Sequence, residues 1–385
     1  MSGTAMGQIL RAHSCATDAV EAVKELQFQF ASHASGLIIF FCSSHYDLSV
    51  IATSFNALFP GVKIVGCTSA GEIGPHGYTE HSLCAVSFPA DNFSVVTDRL
   101  DDLNNLTGDR ISSFVKAMVP KMEQLSRTHH YRYAFAMQLI DSLSSKEELI
   151  SHFFQKTLGR IPLFGGSAAD SMQFTHTYVF HEGQFHDNSC VLILCGTNCP
   201  FRLFKTQNFV GSGDPLVVTA ADPATRTIIE LNGLPAADVY AKRIGCTREQ
   251  LDTHLFSAHP LICKINGNEY TRSIQQLNKD GSLRLYCAID EGVILRLADK
   301  TNLVADLTEQ FNKLENMLGR LSLSLVCDCT LRRMDIVDNN QVNTVADIFI
   351  QHNTIGFNSF GEQYGSLHVN QTCTGIAFGC GESGS

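Results

Sequence analysis

One pattern limits this chain more than any other: an apolar strand, an amphipathic helix, and a second strand that ends in a loop of glycine, serine and alanine. In the first copy, Gly36-Leu-Ile-Ile-Phe-Phe-Cys42 reads as a buried strand. Leu48, Ile51, Phe55, Leu58 and Phe59 follow at helical spacing, and a strand over 62–65 runs into Gly66-Cys67-Thr68-Ser69-Ala70-Gly71-Glu72. The second copy has a strand over 133–139, a helix over 144–158 opened by Ser-Ser-Lys-Glu-Glu, and a strand over 161–164. It ends in Gly165-Gly166-Ser167-Ala168-Ala169-Asp170, and its first glycine lies 99 residues after Gly66. A third copy is suggested by strand 321–327, helix 344–353 and Ile355-Gly356-Phe357-Asn358-Ser359-Phe360-Gly361-Glu362, which matches Val65-Gly-Cys-Thr-Ser-Ala-Gly-Glu72 at Gly, Ser, Gly and Glu.

Strand–helix–strand units of this kind bury parallel strands under helices. The fold class is therefore α/β (α+β), with mixed sheets, repeated βαβ units and glycine-rich loops at strand ends. Segments 82–88 with 93–100, and 177–180 with 189–195, read as hairpins, the second turning at Glu182-Gly183. The turn Asn232-Gly233-Leu234-Pro235 divides the chain into residues 1–233 and 234–385. Beyond it lie short helices over 236–244 and 247–256, then a helix over 302–318 with Leu303, Leu307, Phe311, Leu314 and Leu318 on one face.

Composition excludes several functions. Lys+Arg 28 against Asp+Glu 38 leaves a net charge of −10, which opposes the attraction to phosphates on which nucleic-acid binding depends. The longest apolar runs are of strand length, far short of a membrane helix. The opening Met-Ser-Gly-Thr-Ala-Met-Gly-Gln lacks the apolar region of a secretory signal, so a cytoplasmic protein is expected. The 14 cysteines have irregular spacing and fit no zinc site, which points to buried thiols.

Nucleotide-binding, zinc-protease and nucleophile-elbow motifs are absent, so no catalytic residue is assigned and an enzyme is not expected. The small-residue loops remain. Gly66, Cys67, Ser69, Gly71 and Glu72, with Gly165, Gly166, Ser167, Asp170 and Glu362, are candidates for binding a ligand between backbone amides; tight turns packed in a core are an equal alternative. Cys67 is more readily a buried thiol than a nucleophile. Glu72, Asp170 and Glu362 serve as bases, ligand partners or caps, and repetition predicts that they converge on one pocket. Among the histidines, His368 stands in a strand-like run, Leu367-His368-Val369-Asn370, with Asn370 and Glu362 near enough in sequence to orient it. His176, His181 and Cys199, in a Cys-Pro dipeptide, are weaker candidates for an iron ligand.

The segments Val65 to Ile73, Phe164 to Asp170 with Thr177 to Phe185, and Gly356 to Thr372 together resemble the FIST family of intracellular signal-transduction sensors, built from an N and a C domain. The stand-alone layout and the run Glu362-Gln-Tyr-Gly-Ser-Leu-His-Val-Asn370 are similar to the haem-binding, nitric-oxide-sensing NosP branch. That resemblance implies haem b with His368 as the axial ligand to iron, nitric oxide as the signal, and control of a partner histidine kinase or a diguanylate cyclase or phosphodiesterase of cyclic-di-GMP signalling. The wider family implies the alternative, a sensor for an amino acid or similar metabolite without haem. Whether the protein forms a homodimer is left open by the sequence.

Overall fold

The computed structural model describes residues 8–31 and 34–380. Each of the three copies builds a six-stranded mixed sheet around one parallel strand pair. In the first unit the pair is Ser35–Ser43 with Lys63–Ser69, joined through helix Leu48–Leu58; in the second it is Tyr133–Ile140 with Leu163–Ser167, joined through Glu147–Leu158. In the third, Leu321–Cys329 pairs with Thr354–Ser359, and two helices, Thr330–Asp338 and Val342–Gln351, fill the crossover. Buried β-branched and aromatic residues make these strands, while Asp47 caps the first crossover helix with its carboxylate on the Ser49 and Val50 amides.

An antiparallel strand flanks each pair: Leu83–Pro89, Ser189–Thr197 and Thr372–Gly379. Outside it lies an edge strand, Leu10–Ser14, Phe93–Asp101 or Phe201–Gln207. The hairpin expected between 82–88 and 93–100 therefore does not form, because Leu83–Pro89 belongs to the first sheet and Phe93–Asp101 to the second. The turn at Glu182-Gly183 is real, but it joins Val179–His181 to Gln184–His186 rather than to the strand over 189–195.

The short hairpin after each glycine loop is exchanged. Glu72–Gly74 with Gly77–Thr79 adds to the third unit's sheet through Gly356↔Ile73; Val179–His181 with Gln184–His186 adds to the first through Cys67↔Val179. Glu362–Tyr364 with Leu367–Val369 adds to the second through Gly166↔Glu362. First to third, third to second and second to first is a closed cycle. The three units thus form a pseudo-threefold ring.

The inner faces of the three sheets meet in one core, where Phe41, Cys67, Leu139, Phe164, Cys327 and Phe357 pack together and Phe41 stacks on Phe357 at 4.4 Å between ring centroids. Helices cover the outer faces. On the second sheet the cover includes Gly108–His129, a helix whose 22 residues hold Pro120 and a wide polar face.

Between Phe201–Gln207 and helix Leu303–Leu318 the third unit carries an insertion, an eight-stranded sheet with its own core of residues such as Leu216, Ile228, Tyr240, Phe256 and Leu295. The Asn232-Gly233 turn lies within this sheet, joining Thr227–Leu231 to Leu234–Pro235. Arg226, at φ 55, ties the insertion to the second unit by pairing with both Glu147 and Glu148 at 2.5 Å. Among the described residues, no helix is long and apolar enough to cross a membrane.

Candidate functional site

The three glycine loops converge on the axis of the ring and bond to one another. Ala70 N–H donates to the Asn358 carbonyl at 3.1 Å, Ala169 N–H to Thr68 at 3.0 Å, and Phe360 N–H to Ser167 at 3.3 Å. Equivalent atoms make equivalent bonds around the cycle. These amides hold the units together and are not free to cradle a ligand.

Gly66, Gly165 and Gly356 have a similar structural reason. A Cβ at each would lie 2.5, 2.2 or 2.0 Å from the carbonyl oxygen of Phe40, Gln138 or Val326 on the neighbouring parallel strand. Gly166 faces the core, where a Cβ would meet Phe357 and Cys327 below 3 Å. Cys67 is fully buried, and that burial pushes its thiol well above the ordinary range, against a nucleophilic role.

Glu72 accepts from the Ser69 hydroxyl, and from the Ser82 amide and hydroxyl at 3.1 and 2.6 Å. Glu362 repeats this with Ser359 at 2.7 Å and Thr372 at 2.7 Å. Asp170 is not their counterpart, because the residue paired like Glu72 and Glu362 in the second unit is Val179. Asp170 instead opens an insertion and gathers its backbone: the carboxylate accepts from Phe174, Thr175 and His176 amides at 2.8, 2.7 and 3.0 Å. This holds Ser171, Met172 and Phe174 at φ 55, 67 and 54, a conformation L-residues rarely adopt. Phe174 then stacks on Phe360 at 4.5 Å, so the insertion lies as a flap over the loops.

Beside the flap is a cavity of about 370 Å³, within the roughly 300–1,000 Å³ of small-ligand sites. Gly71, at φ 140, and Ala70 form one wall; Ser171 and Met172 of the flap form another; Arg333 and Met334 close it from helix Thr330–Asp338. It sits outside the C-terminal ends of the parallel strands Ser35–Ser43 and Leu321–Cys329, where open α/β sheets place their ligands. His81, Glu80, His254 and Asp338 add polar groups at its margin, with His254 Nδ1 3.3 Å from the Asp338 carboxylate. Of the candidate binding residues read from sequence, Gly71 alone reaches this cavity.

Arg333 is its positioned cation. The preceding Arg332 is buried against Asp328 at 2.6 Å, Asp328 accepts from Tyr78 Oη at 2.7 Å, and the Arg333 guanidinium lies 4.1 Å from the Tyr78 ring centroid. The exchanged hairpin of the first unit thereby fixes a side chain of the third. Arg333 Nη1 is buried and has no hydrogen-bond partner in the protein.

The proposed iron ligands are scattered. His368 pairs across the exchanged hairpin with Gln363, whose Nε2 lies 3.3 Å from His368 Nδ1, and it is 2% exposed. Its ring presses on the Gly361 backbone, where a Cβ would be 2.2 Å from Cε1. Burial also lowers its basicity, and the ring borders neither the cavity beside the flap nor those of about 750 and 210 Å³ elsewhere in the fold. A porphyrin needs open volume beside its axial ligand, and none of these cavities provides it at His368. Asn370 is fully buried with both amide atoms unpaired. Ser167 accepts from Gln363 Nε2 at 2.9 Å. His181 Nε2, on the first sheet, meets Thr97 Oγ1 of the second at 3.2 Å, His176 is exposed beside a cavity of about 210 Å³, and Cys199 packs against the central core.

Comparison with known families decides the kinship. The FIST N domain model matches residues 36–234 and the FIST C domain model residues 236–365. The chain belongs to the FIST family. FIST domains are small-ligand-sensing modules of signal transduction, and this FIST protein carries both. It is also similar to an uncharacterized protein of Methanocaldococcus jannaschii, 22% identical over 396 residues that cover 90% of this chain and 74% of that one.

Sequence reasoning missed Arg333, Met172 and Met334. The available signal was position: Arg333 follows the strand Leu321–Cys329 directly, at the same end of the sheet as the glycine loops.

Proposed function

We propose that this FIST protein is a sensor whose signal is an acidic, amino-acid-sized metabolite held by Arg333 in the loop cavity. The unpartnered Arg333 Nη1 carries this reading: a buried N–H without an acceptor is costly, and a ligand carboxylate beside the guanidinium supplies one. Met172, Met334 and Val337 offer the adaptable apolar surface a small side chain needs. Glu80 and Asp338 provide acceptors for an amine.

The cavity joins pieces of all three units and, through His254, the insertion. A ligand that bridges them favours the closed arrangement of flap and loops, which a partner histidine kinase or cyclic-di-GMP enzyme reads as a shifted population. Calorimetric titration with a panel of free amino acids and dicarboxylates tests the reading, with Arg333→Met as the control.

The haem and nitric oxide reading rests on the resemblance to the NosP branch. A Soret band that scales with protein and disappears in folded His368→Ala would restore it, whereas a protein that stays colourless after haem addition removes it.

A further inference from the structure

The insertion holds a second cavity, about 750 Å³, which shares no residue with the loop cavity. Its walls are largely apolar, with Ile262 and Ile265 contributing from strand Leu261–Ile265, and Ile289 and Val293 from the turn before Ile294–Lys300. Such a volume and lining are those of a small-molecule site.

The charge arrangement selects the ligand. Arg272 lines the cavity and is only 9% exposed, yet among the described residues no carboxylate lies within ion-pair distance of it. Its guanidinium donates to the adjacent Thr271 carbonyl at 3.2 Å. The acids nearby are committed elsewhere: Glu147 and Glu148 share Arg226, Glu269 accepts from the Gly211 amide at 2.9 Å and faces Lys264 at 3.5 Å, and Asp290 accepts from the Glu291 amide at 2.8 Å. Glu148 favours the Arg272 charge without touching it, and an anion entering the cavity beside it adds the contact partner it lacks.

We propose that this cavity binds an organic anion with an apolar tail, its carboxylate pairing with Arg272 and its tail lying along Ile262, Ile289 and Val293. The planar guanidinium suits a carboxylate better than an ammonium does, since two parallel N–H groups meet its two oxygens. Occupancy has a route to the ring. Ala288, in the cavity wall, donates its amide to Glu148 at 2.5 Å, and Glu148 stands with Glu147 at the start of helix Glu147–Leu158, where both hold Arg226.

The test is isothermal titration of the full chain with decanoate, and with decanol as its uncharged counterpart. Decanoate binds at one site per chain, and decanol binds roughly tenfold more weakly or worse, as expected for loss of a charge-assisted hydrogen bond. Arg272→Met removes the preference for decanoate, and Ile289→Trp, which fills the cavity without touching Arg272, removes binding of both; circular dichroism checks that each variant is folded. Arg333→Met, in the other cavity, leaves decanoate binding unchanged. Absence of decanoate binding, equal affinity for decanol, or unchanged binding in folded Ile289→Trp overturns the proposal. Loss of decanoate binding in Arg333→Met also overturns it, by placing the anion in the loop cavity instead.

Discussion

Glu72 and Glu362 occupy the same position in two units of the ring, each bonded to the serine three residues before it and to the hydroxyl residue ten after it. The second unit replaces two of these three residues: Val179 stands for the glutamate and Ala168 for the serine, while Ser189 keeps the hydroxyl. Glu72→Val alone takes the acceptor from the buried Ser69 hydroxyl and the Ser82 amide, and costs about 1–3 kcal/mol. Adding Ser69→Ala, which copies the second unit more closely, recovers part of that loss. Urea unfolding of the single and double variants checks this; a double variant less stable than the single contradicts it.

The same two carboxyls set a pH dependence. Burial pushes Glu72 up to about 7 and Glu362 up to about 8, against the hydroxyl bonds that pull each down. A carboxyl whose folded value is raised favours folding while protonated, so its contribution is full below the unfolded value near 4.5 and is lost as pH rises through 7 to 8. The melting temperature is therefore expected to fall between pH 5.5 and 8.5, and Glu362→Gln flattens the slope. An equal slope in that variant assigns the pH effect to other groups.

The strand–helix–strand copies could be read from sequence because buried parallel strands are continuous apolar runs, as in Leu37 to Cys42, and their crossover helices are amphipathic. Hairpin exchange could not. Glu72–Gly74 and Glu362–Tyr364 are three residues each, and nothing in such a short strand states which edge it joins. The apparent match of Asp170 with Glu72 failed for a local reason: one residue separates Ala70 from Glu72, whereas nine separate Ala169 from Val179, so the acid fell at the same point in the motif but outside the hairpin. The loops do meet, but their amides are spent on each other, the three acids do not share one pocket, and the cavity-lining Arg333 lies in a polar helix that carries no motif.

Asp170 is expected to control the flap. Asp170→Ala frees three backbone amides and removes what holds Ser171, Met172 and Phe174 in left-handed conformations, each costing roughly 1–3 kcal/mol without such support. Hydrogen exchange over 171–176 should quicken at least about tenfold while exchange in the central strands stays slow. Unchanged protection of the flap would show that Phe174 packing on Phe360 suffices to hold it.

The first glycine of each loop is structural in this account. Gly356→Ala places a methyl 2.0 Å from the Val326 carbonyl oxygen, forcing the parallel strands apart at a loss of at least about 2 kcal/mol. Thermal unfolding reads the loss, and the folded fraction keeps its ligand affinity. A stable variant that binds no ligand would return Gly356 to the binding site.

The most direct test is titration calorimetry of the loop cavity, comparing the parent chain with Arg333→Met at matched folding. At least one amino-acid-sized carboxylate is expected to bind the parent, and Arg333→Met to weaken it roughly tenfold or more, as loss of a charge-assisted bond requires. Carboxylate binding that is indifferent to Arg333→Met, or a panel in which no small acid binds, contradicts it.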